Sequence, residues 1–134
     1  MATSVVLKKV PQQAVVKVLG PGSVTIDLAE LTTNTQIFDR PNAQVNINSI
    51  MFTTTGITLV QRNNSNVYKL TDGQDNHQFS QFIGCVLSEG NNSNITVNFL
   101  GSADGSLIMG LSKISGYQAN VLTYDGVQPF VSGN

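Results

Sequence analysis

Apolar and polar residues alternate with period two along much of this chain, and turn residues cut the alternation into short pieces. Val24-Thr25-Ile26-Asp27-Leu28, Val45-Asn46-Ile47-Asn48 and Ile95-Thr96-Val97-Asn98-Phe99 all show it. Successive side chains of a strand point to opposite faces, so each run describes a strand buried on one face and wet on the other. The one helical candidate, Leu28-Ala29-Glu30-Leu31, runs into Thr32-Thr33-Asn34-Thr35, which are poor helix formers. The expectation is an all-β fold: a single antiparallel β-sandwich or jelly-roll-like domain, residues 1–134, of about eight to nine strands.

Turn chemistry places the breaks. Val5 to Val10 stops at Pro11, and Gln13 to Leu19 is closed by Gly20-Pro21-Gly22. Ser23 to Leu28 follows, then a polar segment from Glu30 to Pro41 with a short strand at Gln36-Ile37-Phe38. Ala43 to Thr53 changes parity, since Val45 and Ile47 fall on one face and Ile50 and Phe52 on the other. A bulge near Asn48 or Ser49 would return all four to the core. Ile57 to Arg62, Val67 to Thr71, Gln78 to Leu87, Ile95 to Leu100, Ser106 to Lys113 and Tyr117 to Tyr124 complete the strands. Asp72 to His77 reads as a loop, and 126–134 as a C-terminal tail. Asn-Asn-Ser-Asn occurs at 63–66 and at 91–94, in flanks too different for a duplication. The expected core is Val24, Ile26, Leu28, Val45, Ile47, Ile50, Phe52, Ile95, Val97, Phe99, Leu107, Met109 and Leu111.

The wet faces read as Thr, Asn and Ser rather than Lys and Glu, and only 11% of residues are charged. Seven Lys and Arg against eight Asp and Glu leave a net charge of −1, so no overall field draws the chain to nucleic acid or an anionic membrane. The longest apolar run is far short of the ~20 residues that span a bilayer. The N-terminal lysines follow the apolar residues, whereas a signal peptide has them in front, so the expected site of synthesis and assembly is a cytoplasm. With one cysteine, Cys85, no intrachain disulfide can form; its apolar setting reads as core.

Groups able to carry chemistry are sparse. Asp72, Asp75 and His77 lie within six residues, but their spacing matches no cation-binding loop. His77 with Ser80 and Asp75 offers a nucleophile, a base and an orienter, in a stretch where neighbours rarely reach the required geometry. No Gly-x-Ser-x-Gly, His-Glu-x-x-His or phosphate-cradling loop occurs. The Asn-x-Ser/Thr triplets at Asn63, Asn91 and Asn94 read as turns. Neither an enzyme, a cofactor nor a metal site is expected. Tyr68, Tyr117 and Tyr124 with nearby amides could serve a sugar, without the stacking platform a Trp would supply. Thr and Asn lose little rotamer entropy on contact and carry no charge to desolvate, which suits static contacts with other subunits.

The run from Ala14-Val15-Val16-Lys17-Val18 through Gly20-Pro21-Gly22-Ser23-Val24-Thr25-Ile26-Asp27-Leu28 resembles the start of small virion proteins of tailed bacteriophages, especially marine phages of cyanobacteria. Leu111-Ser112-Lys113-Ile114-Ser115-Gly116-Tyr117 resembles their closing strand. The resemblance is one of strand and turn pattern, with no catalytic residues to carry over. It implies a virion protein that decorates or cements the outer capsid surface. Its expected partners are the major capsid protein and, as a second candidate, copies of itself. The alternative is a tail or fibre module that binds a host glycan. Residues 1–10 are then an edge or partner-contacting strand, with Val5, Leu7, Lys8, Lys9 and Lys17 as contact residues. The lysines have a plain reading too, as guards of an edge strand against mispairing.

Overall fold

The computed structural model describes residues 2–79 and 87–119. Ser80, Phe82, Cys85, Tyr124, the tail 126–134 and most of the strand expected over Gln78 to Leu87 lie outside those residues. The fold is all-β, with antiparallel sheets arranged as a β-sandwich. Eleven strands are formed among the described residues: β1 (Thr3–Lys9), β2 (Gln13–Leu19), β3 (Ser23–Ile26), β4 (Gln36–Phe38), β5 (Gln44–Thr55), β6 (Thr58–Arg62), β7 (Ser65–Leu70), β8 (Gly73–Gln78), β9 (Ile95–Phe99), β10 (Asp104–Ser115) and β11 (Tyr117–Ala119). A five-stranded sheet runs β1-β2-β10-β5-β8 and a four-stranded sheet β3-β9-β6-β7, while β4 and β11 pair separately.

Alternation decides what each sheet buries. Val16 and Val18 of β2, Ile47, Ile50 and Phe52 of β5, and Leu107, Met109 and Leu111 of β10 are turned from the five-stranded sheet into the core. Ile26, Val60, Ile95, Val97 and Phe99 meet them from the four-stranded sheet. Of the expected core, Val24 alone is only half-buried, on the short edge strand β3. Gly110 pairs with Ser49 but Leu111 with Ile47, so Asn48 is the extra residue of a bulge. The bulge restores Ile47 and Ile50 to one face, as the parity break requires. Asn48 then donates from its side-chain amide to Ser112 Oγ. Asn63 and Asn64 hold φ of 51° and 62° between β6 and β7, a left-handed pair that asparagine tolerates and a tight hairpin needs.

Two expectations are corrected. The polar stretch after Asp72 is a strand, not a loop: Gly73 to Gln78 pairs with Ser49 to Thr54 along the sheet edge. It carries no apolar alternation because it holds its place through backbone pairing beside β5. β4 and β11 fall where a short strand at Gln36-Ile37-Phe38 and a run from Tyr117 were expected, and the eleven strands exceed the eight to nine anticipated. Leu28–Leu31 forms a single 3-10 turn, capped by Asp27 Oδ1 accepting from Ala29 N–H at 2.9 Å.

Candidate functional site

β1 lies at the edge of the five-stranded sheet, paired on one side only, by β2. Half of the backbone groups on such a strand are unpaired and can receive another strand. Val6 lies opposite Val16 and faces the core, whereas Val5 and Leu7 are each 50% exposed. The register slips between Val6 and Lys8, leaving Leu7 as a bulged residue. Lys8 and Lys9 are exposed beyond it. Ser4, Val6, Leu7, Lys8, Lys9 and Glu30 line an open groove of about 530 Å³ along this edge. The expected contact residues Val5, Leu7, Lys8 and Lys9 therefore share one accessible edge.

Lys17 is different. It sits on β2, inside the sheet between β1 and β10, and is half-buried. The reading of Lys17 as an edge guard is thus corrected. It stands on the outward face of the five-stranded sheet, in a row set by the registers: Val5 opposite Lys17, Lys17 opposite Ile108, Ile108 opposite Met51, Met51 opposite Asn76. Met51 is 49% exposed and Leu19, one level along, 40%. The outer face of the four-stranded sheet carries a polar row, Thr25, Thr96, Gln61 and Asn66. Thr25 and Thr96 hydroxyls share a hydrogen bond of 3.0 Å, and Gln61 Nε2 donates to Asn66 Oδ1 at 2.8 Å. Leu59, opposite Asn98 and Lys69, interrupts that polar face, while Thr3, Thr53, Ser106 and Asn76 stand among the apolar residues of the other. The sequence reading missed Leu19, Met51 and Ile108 as surface residues. Adjacent apolar pairs such as Ile50-Met51 and Ile108-Met109 were the signal, since in a strand one member of each must point outward.

The Asp72, Asp75 and His77 cluster does not assemble. Asp72 accepts from the backbone N–H of Gly56. His77 instead bridges Asp75 and Tyr68: its Nε2 lies 3.2 Å from Asp75 Oδ2, and its Nδ1 2.6 Å from the Tyr68 hydroxyl. Phe52 and Phe79 pack edge-on against the same ring system. Both imidazole nitrogens are thereby engaged within the protein, so a proton acceptor for a substrate would first have to break one bond. Burial, and the Asp75 charge after it, push the Tyr68 phenol above its ordinary pKa, away from use as a nucleophile. Hydrogen bonding to the Asn76 N–H, and then to His77, holds Asp75 below its ordinary value. Among the described residues no group of three or more His, Cys, Asp or Glu is gathered as a metal site. Tyr117 also points inward, its hydroxyl donating to Leu28 O at 2.6 Å. Two of the three phenols considered for a glycan are therefore spent inside the fold.

Two buried cations were not read from the sequence. Arg62 is 1% exposed and donates only to backbone carbonyls: Nε and Nη2 to Ser93 O at 3.1 and 2.6 Å, Nη2 to Asn91 O at 2.9 Å, and Nη1 to Val45 O. Lys113 is 8% exposed, donates to Gln36 Oε1 at 3.0 Å and lies 4.9 Å from the centre of the Tyr117 ring. Burial lowers its pKa to about 8, with Lys9 adding to the effect.

No protein-family model matches the chain, and no curated protein matches it. Among solved structures, KdgF from Halomonas sp. is similar at a TM-score of 0.40 and 13% identity, over 85% of this chain and 82% of its own. A likeness at that level says nothing about activity.

Proposed function

We propose that the chain is a structural subunit of a virion that decorates or cements the outer capsid surface, docking on major capsid subunits through the β1 edge. The observation that supports the reading is the edge itself: a strand paired on one side only, with Val5 and Leu7 half exposed, flanked by Lys8 and Lys9. Strand addition supplies backbone hydrogen bonds, the two apolar side chains supply burial, and the lysines favour an acidic rim on the partner. A small edge contact of this kind is weak alone. On a shell it repeats, and a subunit that bridges neighbours gains from effective concentration rather than from any one tight contact.

The test is cosedimentation of the full chain with intact and with dissociated shells of the virus that encodes it. Binding should favour intact shells. Replacing Val5 and Leu7 together by Glu should abolish that binding while leaving the circular-dichroism melt nearly unchanged. Deleting residues 1–10 is the poorer test, because Ala2 is 5% exposed and Val6 packs on the core. Undiminished binding by the double variant would refute the edge. Binding to host glycans with none to shells would refute the shell reading in favour of a fibre module.

A further inference from the structure

We propose that Lys113 is a covalent modification site for carbon dioxide: its amine, buried at the end of β10 and held by Gln36 but by no carboxylate, takes up the gas as a carbamate that faces Lys9. Lys113 closes the row that Met109 and Leu111 turn into the core, and is itself 8% exposed. Its Nζ lies 3.0 Å from Gln36 Oε1 and 4.9 Å from the centre of the Tyr117 ring. The Gln36 amide is fixed in orientation, since Nε2 donates to Pro11 O at 2.7 Å and Oε1 also accepts from Thr33 N–H at 3.2 Å. The ion pairs among the described residues are Arg40–Asp27 and His77–Asp75, so neither offsets a charge on Lys113. A buried ammonium without a counter-ion is costly, and the neutral amine is the form such a site favours. Burial, and Lys9 after it, lower the pKa to about 8. The neutral amine carries the lone pair that attacks an electrophile.

Space and charge select the reagent. So little of Lys113 is exposed that only a small, uncharged electrophile fits, and dissolved carbon dioxide is one. The lone pair of Nζ forms the N–C bond, one C–O π pair moves onto oxygen, and the nitrogen gives a proton to water. The step needs neither an oxidant nor a leaving group. The carbamate keeps one N–H, which goes on donating to Gln36 Oε1, whereas an imine formed with a carbonyl compound would keep none.

Lys9 favours the product. It stands opposite Ala14, and Ala14 opposite Leu111, with Lys113 one same-face step further along β10. Both lysines therefore turn to the inner face of the sheet. The Lys9 charge repels an ammonium at Lys113 and attracts a carbamate there, so one neighbour disfavours the inert form and stabilises the adduct. Lys9 also lines the open groove along β1, with Lys8, Ser4 and one acid, Glu30, so the anion meets cations and solvent on that side. On the remaining sides stand Val45, opposite Lys113 on β5, and the Tyr117 ring, whose hydroxyl is held by Leu28 O. The reaction gives up the cation–π contact with that ring.

Nuclear magnetic resonance of the full chain under isotope-labelled carbon dioxide tests the proposal, followed by trapping with an ethylating reagent and peptide mapping. One carbamate should map to Lys113, and its occupancy at fixed gas pressure should climb as the pH rises towards about 8. Mapping separates it from the α-amino group, whose ordinary pKa is also about 8. Lys113→Arg keeps a charge but offers no neutral amine, and should lose the signal. Lys9→Glu reverses the facing charge and should lower occupancy at least about threefold. Lys9 is exposed, so this variant should keep the fold, and circular dichroism checks both. Mapping on the unaltered chain decides the matter even if Lys113→Arg fails to fold. The proposal is overturned by the absence of any adduct on Lys113, by adducts spread evenly over Lys8, Lys9, Lys17 and Lys69, or by occupancy that Lys9→Glu leaves unchanged. None of these results depends on what the β1 edge binds.

Discussion

Replacing Arg62 by Met removes one side chain that satisfies three backbone carbonyls, and the cost can be worked from its contacts. The guanidinium ties Ser93 O and Asn91 O, in the segment before β9, to Val45 O at the start of β5. No carboxylate answers its charge; the ion pairs found among the described residues are Arg40–Asp27 and His77–Asp75. A carbonyl buried and left without a donor costs about 1–3 kcal/mol, so Ser93 O and Val45 O cost about 4 kcal/mol at mid-range; Asn91 O keeps the Val45 N–H at 2.9 Å and loses one hydrogen bond of about 1 kcal/mol. An opposing effect comes from the charge. Burial lowers the Arg62 pKa from 12.5 to about 10, and relief of that burden returns about 3 kcal/mol on removal. The loss of hydrogen bonds wins, and the net destabilisation is about 2 kcal/mol, a sizeable part of the roughly 5–15 kcal/mol that holds a typical domain. Urea unfolding followed by far-ultraviolet circular dichroism reads it, since the chain has no tryptophan to report by fluorescence. With a slope of about 1.5–2 kcal/mol per molar, the midpoint should fall by roughly 1 M. Arg62→Lys should recover only part of this, because an ammonium cannot fan its donors across three carbonyls. Arg40→Met is the control; its ion pair with Asp27 is exposed on both sides and should be worth under about 1 kcal/mol. A loss below about 1 kcal/mol for Arg62→Met would refute the clamp.

Phe99, 3% exposed, packs against Gly20 and the core, so Phe99→Ala should cost about 3–5 kcal/mol in the same assay. Lys113 supplies a pH signature. Its folded pKa is about 8 against an ordinary 10.5, so between those values the unfolded chain holds more protons and stability should rise with pH. Burial raises the Tyr117 phenol above its ordinary value of 10.0, so its contribution runs the other way and stability should fall once the pH passes about 10. Urea midpoints measured from pH 7 to 10 should climb, and Lys113→Met should flatten that climb.

Much of this architecture is local, which is why it can be read from the chain. Alternation at Val45-Asn46-Ile47 and Ile95-Thr96-Val97 sets which side chains turn inward, because the strand period is two whatever the strand pairs with. The parity break after Ile47 demands an extra residue, and Asn48 is that residue in the bulge. Asn63-Asn64 encodes a left-handed turn by its own conformational tolerance. Strand order is not local. That β10 lies between β2 and β5 follows from pairings between residues far apart in the chain, and only that order aligns Val5, Lys17, Ile108 and Met51 in one row. β8 is a strand because β5 offers it a ladder; its own residues, Gly73 to Gln78, carry no apolar period. Arg62 closes a strand of ordinary alternation and would pass for a surface cation. Its burial depends on three carbonyls that the tertiary fold brings around it, and hydrogen bonds assembled across distant segments leave no mark on the local pattern.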